Sequence, residues 1–198
     1  MTELYARGQM RITGGEFGGR ILAAPPDARV RPTADKVRQA IFNVLAHNDF
    51  GAGFSLEGAR IADLFAGTGA LGIEAISHGG RFCLFVDDSV ESRALIRRNV
   101  EALELTGVTK IWRRDATQLG PMPAGSGGPF DLVFLDPPYR KDLVAGALNS
   151  LAEGGWLAPY AVLVIETEDD GDRSLPVRFK SVDERTYGET LVRFARPA

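Results

Sequence analysis

Ile61-Ala62-Asp63-Leu64-Phe65-Ala66-Gly67-Thr68-Gly69-Ala70-Leu71-Gly72-Ile73-Glu74-Ala75 is the stretch on which the reading of this chain turns. Its first five residues form a short apolar run that predicts a strand. The glycine-spaced remainder predicts a tight turn that opens a helix. Gly67, Gly69 and Gly72 satisfy the G-x-G-x-x-G spacing, and an acid, Asp87, follows about 20 residues on, as in a nucleotide-binding strand–turn–helix unit. By that test alone a dinucleotide would fit.

Asp63 argues against one. It is expected at the carboxyl end of the strand, facing the ligand crevice, where it would repel a pyrophosphate docked on the helix N-terminus. S-adenosylmethionine carries a sulfonium and an ammonium instead of phosphates, and an acid at that rim favours such cations. The segment from Asp63 through Phe65, Gly67 and Gly69 is therefore predicted to be an S-adenosylmethionine loop.

Working outward, Arg81 to Asp87 predicts a second strand. Ser89 starts a helix to about Leu103, with Val90, Ala94, Leu95 and Val100 on one side. Lys110 to Arg114 predicts a third strand ending at Asp115-Ala116, a pair suited to the adenine amine. Phe130 to Leu135 is a fourth, ending at Asp136, and Ala161 to Glu166 a fifth. Val177 to Val182 and Thr190 to Ala195 read as a closing antiparallel pair. The expected fold is α/β with a mostly parallel sheet. In such sheets the carboxyl ends of the strands line the binding crevice, and four predicted strands finish at acids: Asp63, Asp87, Asp115 and Asp136. A purely structural sheet has no reason to do so.

Asp136-Pro137-Pro138-Tyr139 carries the chemistry. Asp136 can accept a hydrogen bond from an exocyclic amine, and so can a backbone carbonyl held by the fixed φ of Pro137 and Pro138. Drawing both N–H bonds aside localises the nitrogen lone pair for attack on an electrophile. Tyr139 offers a face on which an unstacked base can lie. Asp-Pro-Pro is also ordinary turn chemistry, so the tetrapeptide gains its meaning from the glycine turn upstream.

Composition is that of one compact enzyme: 198 residues, 44% hydrophobic and 25% charged. No apolar run approaches the roughly 20 residues a spanning helix needs, and the start has no apolar signal segment. The single cysteine, Cys83, sits mid-strand and is expected to pack in a reducing, cytoplasmic setting. With His47 and His78 as the remaining soft ligands, no metal site is expected. Trp112 and Trp156 are read as packing residues, and Pro121 to Pro129 as a flexible loop.

The net charge is −3, but residues 1–47 hold seven basic and four acidic side chains. A basic arm on an acidic body suits phosphate contacts made by one face. Gln9 to Gly14 and Arg20 to Ala24 are expected to form a hairpin around a glycine turn. Thr33 is expected to cap a helix that buries Val37, Ile41, Val44 and Leu45 and turns Lys36 and Arg38 away from the core. Arg11, Arg20, Arg31, Thr33, Arg38, Arg140 and Lys141 are the expected substrate-binding residues.

Asp-Leu-Phe-Ala-Gly-Thr-Gly-Ala-Leu-Gly with Asp-Pro-Pro-Tyr resembles the class I methyltransferases of amino groups. Met10-Arg11-Ile12-Thr13-Gly14-Gly15, Arg31-Pro32-Thr33-Ala34-Asp35-Lys36-Val37-Arg38 and Arg185-Thr186-Tyr187-Gly188-Glu189-Thr190 narrow it. With them the chain closely resembles the RsmD family, bacterial guanine-N2 methyltransferases of small-subunit ribosomal RNA, from about residue 9 to 196. Lys36, Gln39 and the Gly/Pro-rich insertion before the fourth strand depart from the family pattern, away from the presumed reaction centre. The resemblance implies a Rossmann-like, seven-stranded sheet with one antiparallel strand, helices on both faces and an N-terminal hairpin-and-helix extension. Residues 1–50 would be that RNA-binding extension and 51–198 the catalytic domain. It further implies direct, in-line methyl transfer to a flipped guanine of 16S ribosomal RNA, free or within a small-subunit assembly particle. A monomer is expected, without metal or membrane partners. The alternatives are a DNA adenine-N6 methyltransferase, a non-catalytic RNA-binding assembly factor and an NAD-dependent oxidoreductase.

Overall fold

The computed structural model describes residues 9–25, 32–50, 53–138, 141–169 and 174–198; the side chains of 32–34 and 141–142 lie outside the described set. Seven strands form one sheet: β1 Arg60–Leu64, β2 Phe82–Val86, β3 Thr109–Trp112, β4 Phe130–Leu135, β5 Leu157–Glu168, β6 Phe179–Tyr187 and β7 Thr190–Pro197. Their order is β3-β2-β1-β4-β5-β7-β6. β1 to β5 run parallel to one another, and β7 lies antiparallel between β5 and β6. The expected Rossmann-like sheet with one reversed strand is thus present. Four helices flank it: α1 Pro32–His47, α2 Ala70–Ser77, α3 Val90–Ala102 and α4 Lys141–Glu153.

Strand periodicity sorts the core into two layers. Ile61, Cys83, Phe85, Leu132, Phe134, Val162 and Val164 turn to the face covered by α1, α2 and α3. Leu64, Leu84, Val86, Val133, Leu135, Leu163 and Ile165 turn to the face covered by α4, where Val144, Leu148 and Leu151 meet them. Burial on both faces is why the central strands are near-continuous apolar runs. The N-terminal elements belong to the first layer. Ile12, Leu22, Val37, Ile41, Phe42 and Leu45 share one apolar core with the sheet.

Three local expectations need correction. The N-terminal hairpin has its turn, with Ile12 N–H donating to Arg20 O at 3.0 Å and Gly19 N–H to Ile12 O at 2.8 Å, but its strands shrink to one bridge, Arg11 to Ile21. Sheet-like pairing gives way because this segment is bonded sideways to α2 and α3. α1 begins at Pro32, so Thr33 stands inside the first turn rather than ahead of it. The Pro121–Pro129 segment is packed rather than loose. Ser126 is buried, Met122 N–H donates to Gly154 O at 2.9 Å, and a Cβ on Gly127 would stand 2.2 Å from the Phe82 ring. Trp112 and Trp156 do pack, as an edge-to-face pair 6.0 Å apart, with Trp156 Nε1 donating to Gly120 O at 2.8 Å.

Candidate active site

The turn after β1 owes its shape to left-handed backbone at three residues: Phe65 (φ 58°), Gly67 (φ 56°) and Gly69 (φ 78°). Phe65 is the costly one, since a side chain in this region is strained by about 1 kcal/mol or more; its ring packs against the α4-side core. Gly67 N–H donates to Asp87 Oδ2 at 2.9 Å, which ties the turn to the end of β2. The same carboxylate accepts from Ser89 N–H at 2.9 Å, fixing its orientation as α3 begins. A Cβ on Gly69 would come within 3.2 Å of the Phe85 ring, and one on Gly72 within 2.5 Å of that ring and 2.6 Å of Cys83 Sγ. The cradle is therefore closed to side chains from below.

Asp63 differs from its expected position. It is only 1% exposed and lies one residue short of the strand end. Its Oδ2 accepts from Gly72 N–H at 2.9 Å, so it braces the turn from beneath instead of facing the crevice. Burial pushes its carboxyl well above the ordinary carboxylate value. The Gly72 bond opposes that, while Asp136 and Asp87 push it higher still.

Register decides what meets at the strand tips. Leu64 pairs with Val86 on one side and Leu135 on the other, Val86 with Trp112, and Leu135 with Ile165. The next residue on each strand is therefore on a common rung: Phe65, Asp87, Arg113, Asp136 and Glu166. β1 and β4 also flank the topological switch point, where chain connections diverge and open a crevice. The glycine turn and the Asp136-Pro137-Pro138 tip consequently stand side by side. Asp115 caps a short 3-10 turn, Ala116–Gln118, its Oδ1 accepting from Thr117 N–H at 2.8 Å and Thr117 Oγ1 at 2.7 Å; Asp115 is exposed and Ala116 buried. Pro137 is buried and Pro138 exposed; Tyr139, Arg140 and the Lys141 side chain lie outside the described residues.

Asp136 perturbs Glu166. Asp136 is itself exposed at the strand tip, and partial desolvation by the surrounding protein raises its carboxyl to about 6. Glu166 is half-buried; desolvation, then the nearby Asp136, lift its carboxyl to about 8 against the opposing pull of Arg38. Glu166 was invisible as a site residue in the sequence, where it is simply the end of an apolar strand. Only its register beside Leu135 and Asp136 could have flagged it.

Arg38 is a second correction. It is 5% exposed and turned inward. Its Nε donates to Glu74 Oε2 at 3.1 Å and its Nη2 to Asp35 Oδ1 at 2.9 Å and to Arg11 O. The reason is Glu74, fully buried on α2, which needs a cation and donors. Thr13 N–H, Thr13 Oγ1 and Gly14 N–H supply the donors at 2.7–2.9 Å. Asn99 on α3 works likewise, accepting from Ala23 N–H at 2.7 Å and donating to Thr68 O at 2.9 Å. The N-terminal segment is thereby bonded to the helix behind the glycine turn and to the turn itself. Arg11 is half-buried with Nη1 near Gly19 O, and Arg20 is exposed with Nη2 on Ala102 O at 3.2 Å. Arg31 and the Thr33 side chain lie outside the described residues. Among the described residues, no group of three or more His, Cys, Asp or Glu is arranged to hold a metal, and no helix is long and apolar enough to cross a membrane.

Comparison with known proteins agrees with this geometry. Residues 10–196 match the family described as Conserved hypothetical protein 95. The Escherichia coli protein named ribosomal RNA small subunit methyltransferase D is 34% identical over 188 residues, 94% of this chain and 89% of its own. YlbH of Bacillus subtilis is 36% identical over 186 residues, 92% of this chain and 96% of its own. A solved structure of yhhF from Escherichia coli superimposes with a TM-score of 0.79 at 29% identity, covering 96% of this chain and 98% of that one. With a match that spans nearly every element described above and relatives sharing a third of their residues, the chain belongs to the RsmD family of methyltransferases.

Proposed function

We propose that this chain transfers a methyl group from S-adenosylmethionine to the exocyclic N2 amine of a guanine in 16S ribosomal RNA, with the base flipped toward the tip of β4. The carrying observation is the shared rung that sets Asp136 beside the glycine turn across β1 and β4. The named activity of the Escherichia coli relative supports the choice of polymer.

The residues present fit the cofactor. Gly67 and Gly69 leave room for close backbone approach, Asp87 is oriented to accept from ribose hydroxyls, and Asp115 with Ala116 stands at the adenine end. When bound, S-adenosylmethionine supplies an electrophilic methyl group. Everything else falls to the chain. Asp136 and a Pro137 carbonyl accept the two amine N–H bonds, which aligns the nitrogen lone pair and stabilises positive charge as the new bond forms. The amine proton becomes acidic only during transfer, so no strong base is needed beforehand. A carboxyl raised to about 6 is well matched to receive that proton afterward. Asp63, from below, keeps the turn in shape.

RNA contact is assigned to the N-terminal segment, with exposed Arg20 and Lys36 on its surface, together with Arg11, Arg31, Thr33, Arg140 and Lys141. Arg38 is removed from that set by its burial.

The test is methyl transfer from labelled S-adenosylmethionine to small-subunit ribosomal RNA or particles from a strain lacking the gene, with DNA in parallel. N2-methylguanosine in the nucleoside digest is expected. Label appearing as N6-methyladenine in DNA, or in neither polymer, would refute the reading.

A further inference from the structure

Glu166 stands beside the reaction centre with no part in the mechanism above. Ile165 and Leu135 are register partners, so Glu166 and Asp136 leave adjacent parallel strands one step past the same rung. Neighbouring strands are about 4.8 Å apart, which brings two acids under one base. Period two turns Glu166 to the face of Val164, the face that α1 covers; burial and Asp136 raise its carboxyl to about 8, and Arg38 of α1 pulls the other way.

Two acceptors at adjacent strand tips match a particular molecular edge. The Watson–Crick edge of guanine presents N1–H and the N2 amine side by side, all donors. Adenine presents an acceptor, N1, next to its amine. Asp136 and Pro137 can satisfy the amine of either base, so they cannot tell them apart. Once ionised, a second carboxyl beside Asp136 accepts from N1–H of guanine and faces the N1 lone pair of adenine with repulsion. A site built to hydrogen-bond a donor rejects a base that lacks it far better than an apolar wall could.

We infer that Glu166 is the specificity residue of the base pocket, its carboxylate accepting from guanine N1–H while Asp136 accepts from the N2 amine. This rests on the guanine-N2 reading proposed above. Arg38, anchored on Glu74 and Asp35, is the positioning residue that opposes the rise in the Glu166 carboxyl, which is ionised above about pH 8.

The experiment compares wild type with Glu166→Gln, above about pH 8 where the Glu166 carboxyl is ionised, on small-subunit RNA carrying, at the mapped target, either guanosine or 2-aminopurine riboside. 2-Aminopurine keeps the amine but has an acceptor in place of N1–H. Wild type is expected to prefer guanosine by about tenfold to a hundredfold in kcat/KM, the usual worth of a bidentate base contact. Glu166→Gln should lose about as much on guanosine and gain on 2-aminopurine, where its amide can donate to N1, with S-adenosylmethionine affinity retained and no fall in melting temperature. An equal loss on both bases, or a normal rate on guanosine, overturns the assignment of Glu166. If wild type methylates no guanine at all, the function proposed above fails with it, and the wild-type lane alone reports that.

Discussion

In the proposed reaction Asp136 and Asp87 hold different parts of the same event, and their substitution should separate binding from chemistry. Asp136→Asn is expected to lose about a hundredfold or more in kcat, as when a transition-state hydrogen bond is removed. Calorimetric affinity for S-adenosylmethionine should survive in that variant. Asp87→Ala should do the reverse, because it unties Gly67 and removes the acceptor at β2; unchanged affinity would exclude that role. Acidity adds an independent check. In the proposed reaction Asp136 must be ionised to accept from the amine and Glu166 to accept from N1–H, so kcat/KM on guanosine should fall as pH drops through about 8 and further through about 6, with apparent values that belong to the Asp136–Glu166 pair. For stability the sign is opposite. Both carboxyls are raised on folding, so above the unfolded values of 3.8 and 4.5 the folded state binds the extra protons, and stability declines as pH climbs toward about 8. Glu166→Gln should therefore raise the melting temperature of the cofactor-free protein near pH 8 and leave it unchanged near pH 4, by scanning calorimetry.

At the scale of elements, α2 is the joint. Its first turn is held to β1 by the Asp63–Gly72 bond, and its middle is held to the N-terminal segment by Glu74. Gly72→Ala would drive a Cβ into the Phe85 ring and Cys83 Sγ, which over-packs the helix–sheet contact. A loss of about 1–3 kcal/mol is expected, read as a lower denaturant midpoint together with weaker cofactor binding. Glu74→Ala leaves Arg38 buried without its main carboxylate, a change that costs about 3–5 kcal/mol elsewhere. Glu74→Gln keeps one acceptor oxygen for Thr13 and Gly14 and should cost less; equal losses for the two variants would show that the charge on Glu74, and not its acceptor oxygens, carries the effect.

Over the whole molecule, the N-terminal stretch is a covering layer of the sheet as well as a proposed RNA-binding surface. Deleting residues 1–50 strips Ile12, Leu22, Val37, Ile41, Phe42, Leu45 and Phe50 from the core beneath α1. The truncated chain is expected to lose its cooperative thermal transition and expose apolar surface, measured by circular dichroism and dye binding. A truncated chain that melts like the full one would show that 51–198 is self-sufficient. The full chain should melt in one step, because α1 shares a continuous core with the sheet.

The sequence alone was enough for the strand–turn–helix unit, the five parallel strands, and Asp87 and Asp136 just past the ends of two of them. Those depend on local signals: apolar runs of strand length, glycines where φ must be positive, and proline after a strand. It misjudged Asp63, Arg38 and the Pro121–Pro129 segment, and it passed over Glu74 and Glu166. Each of these is settled by a partner far along the chain: Gly72 folded back over Asp63, Glu74 buried opposite Arg38, Phe82 packed on Gly127, Ile165 paired with Leu135. A charge is read as exposed until a buried opposite charge appears beside it, and that neighbour exists only once helices and sheet have packed. Tertiary structure alone decided which carboxylates share the rung at the switch point, because register is a relation between strands that neither strand carries by itself.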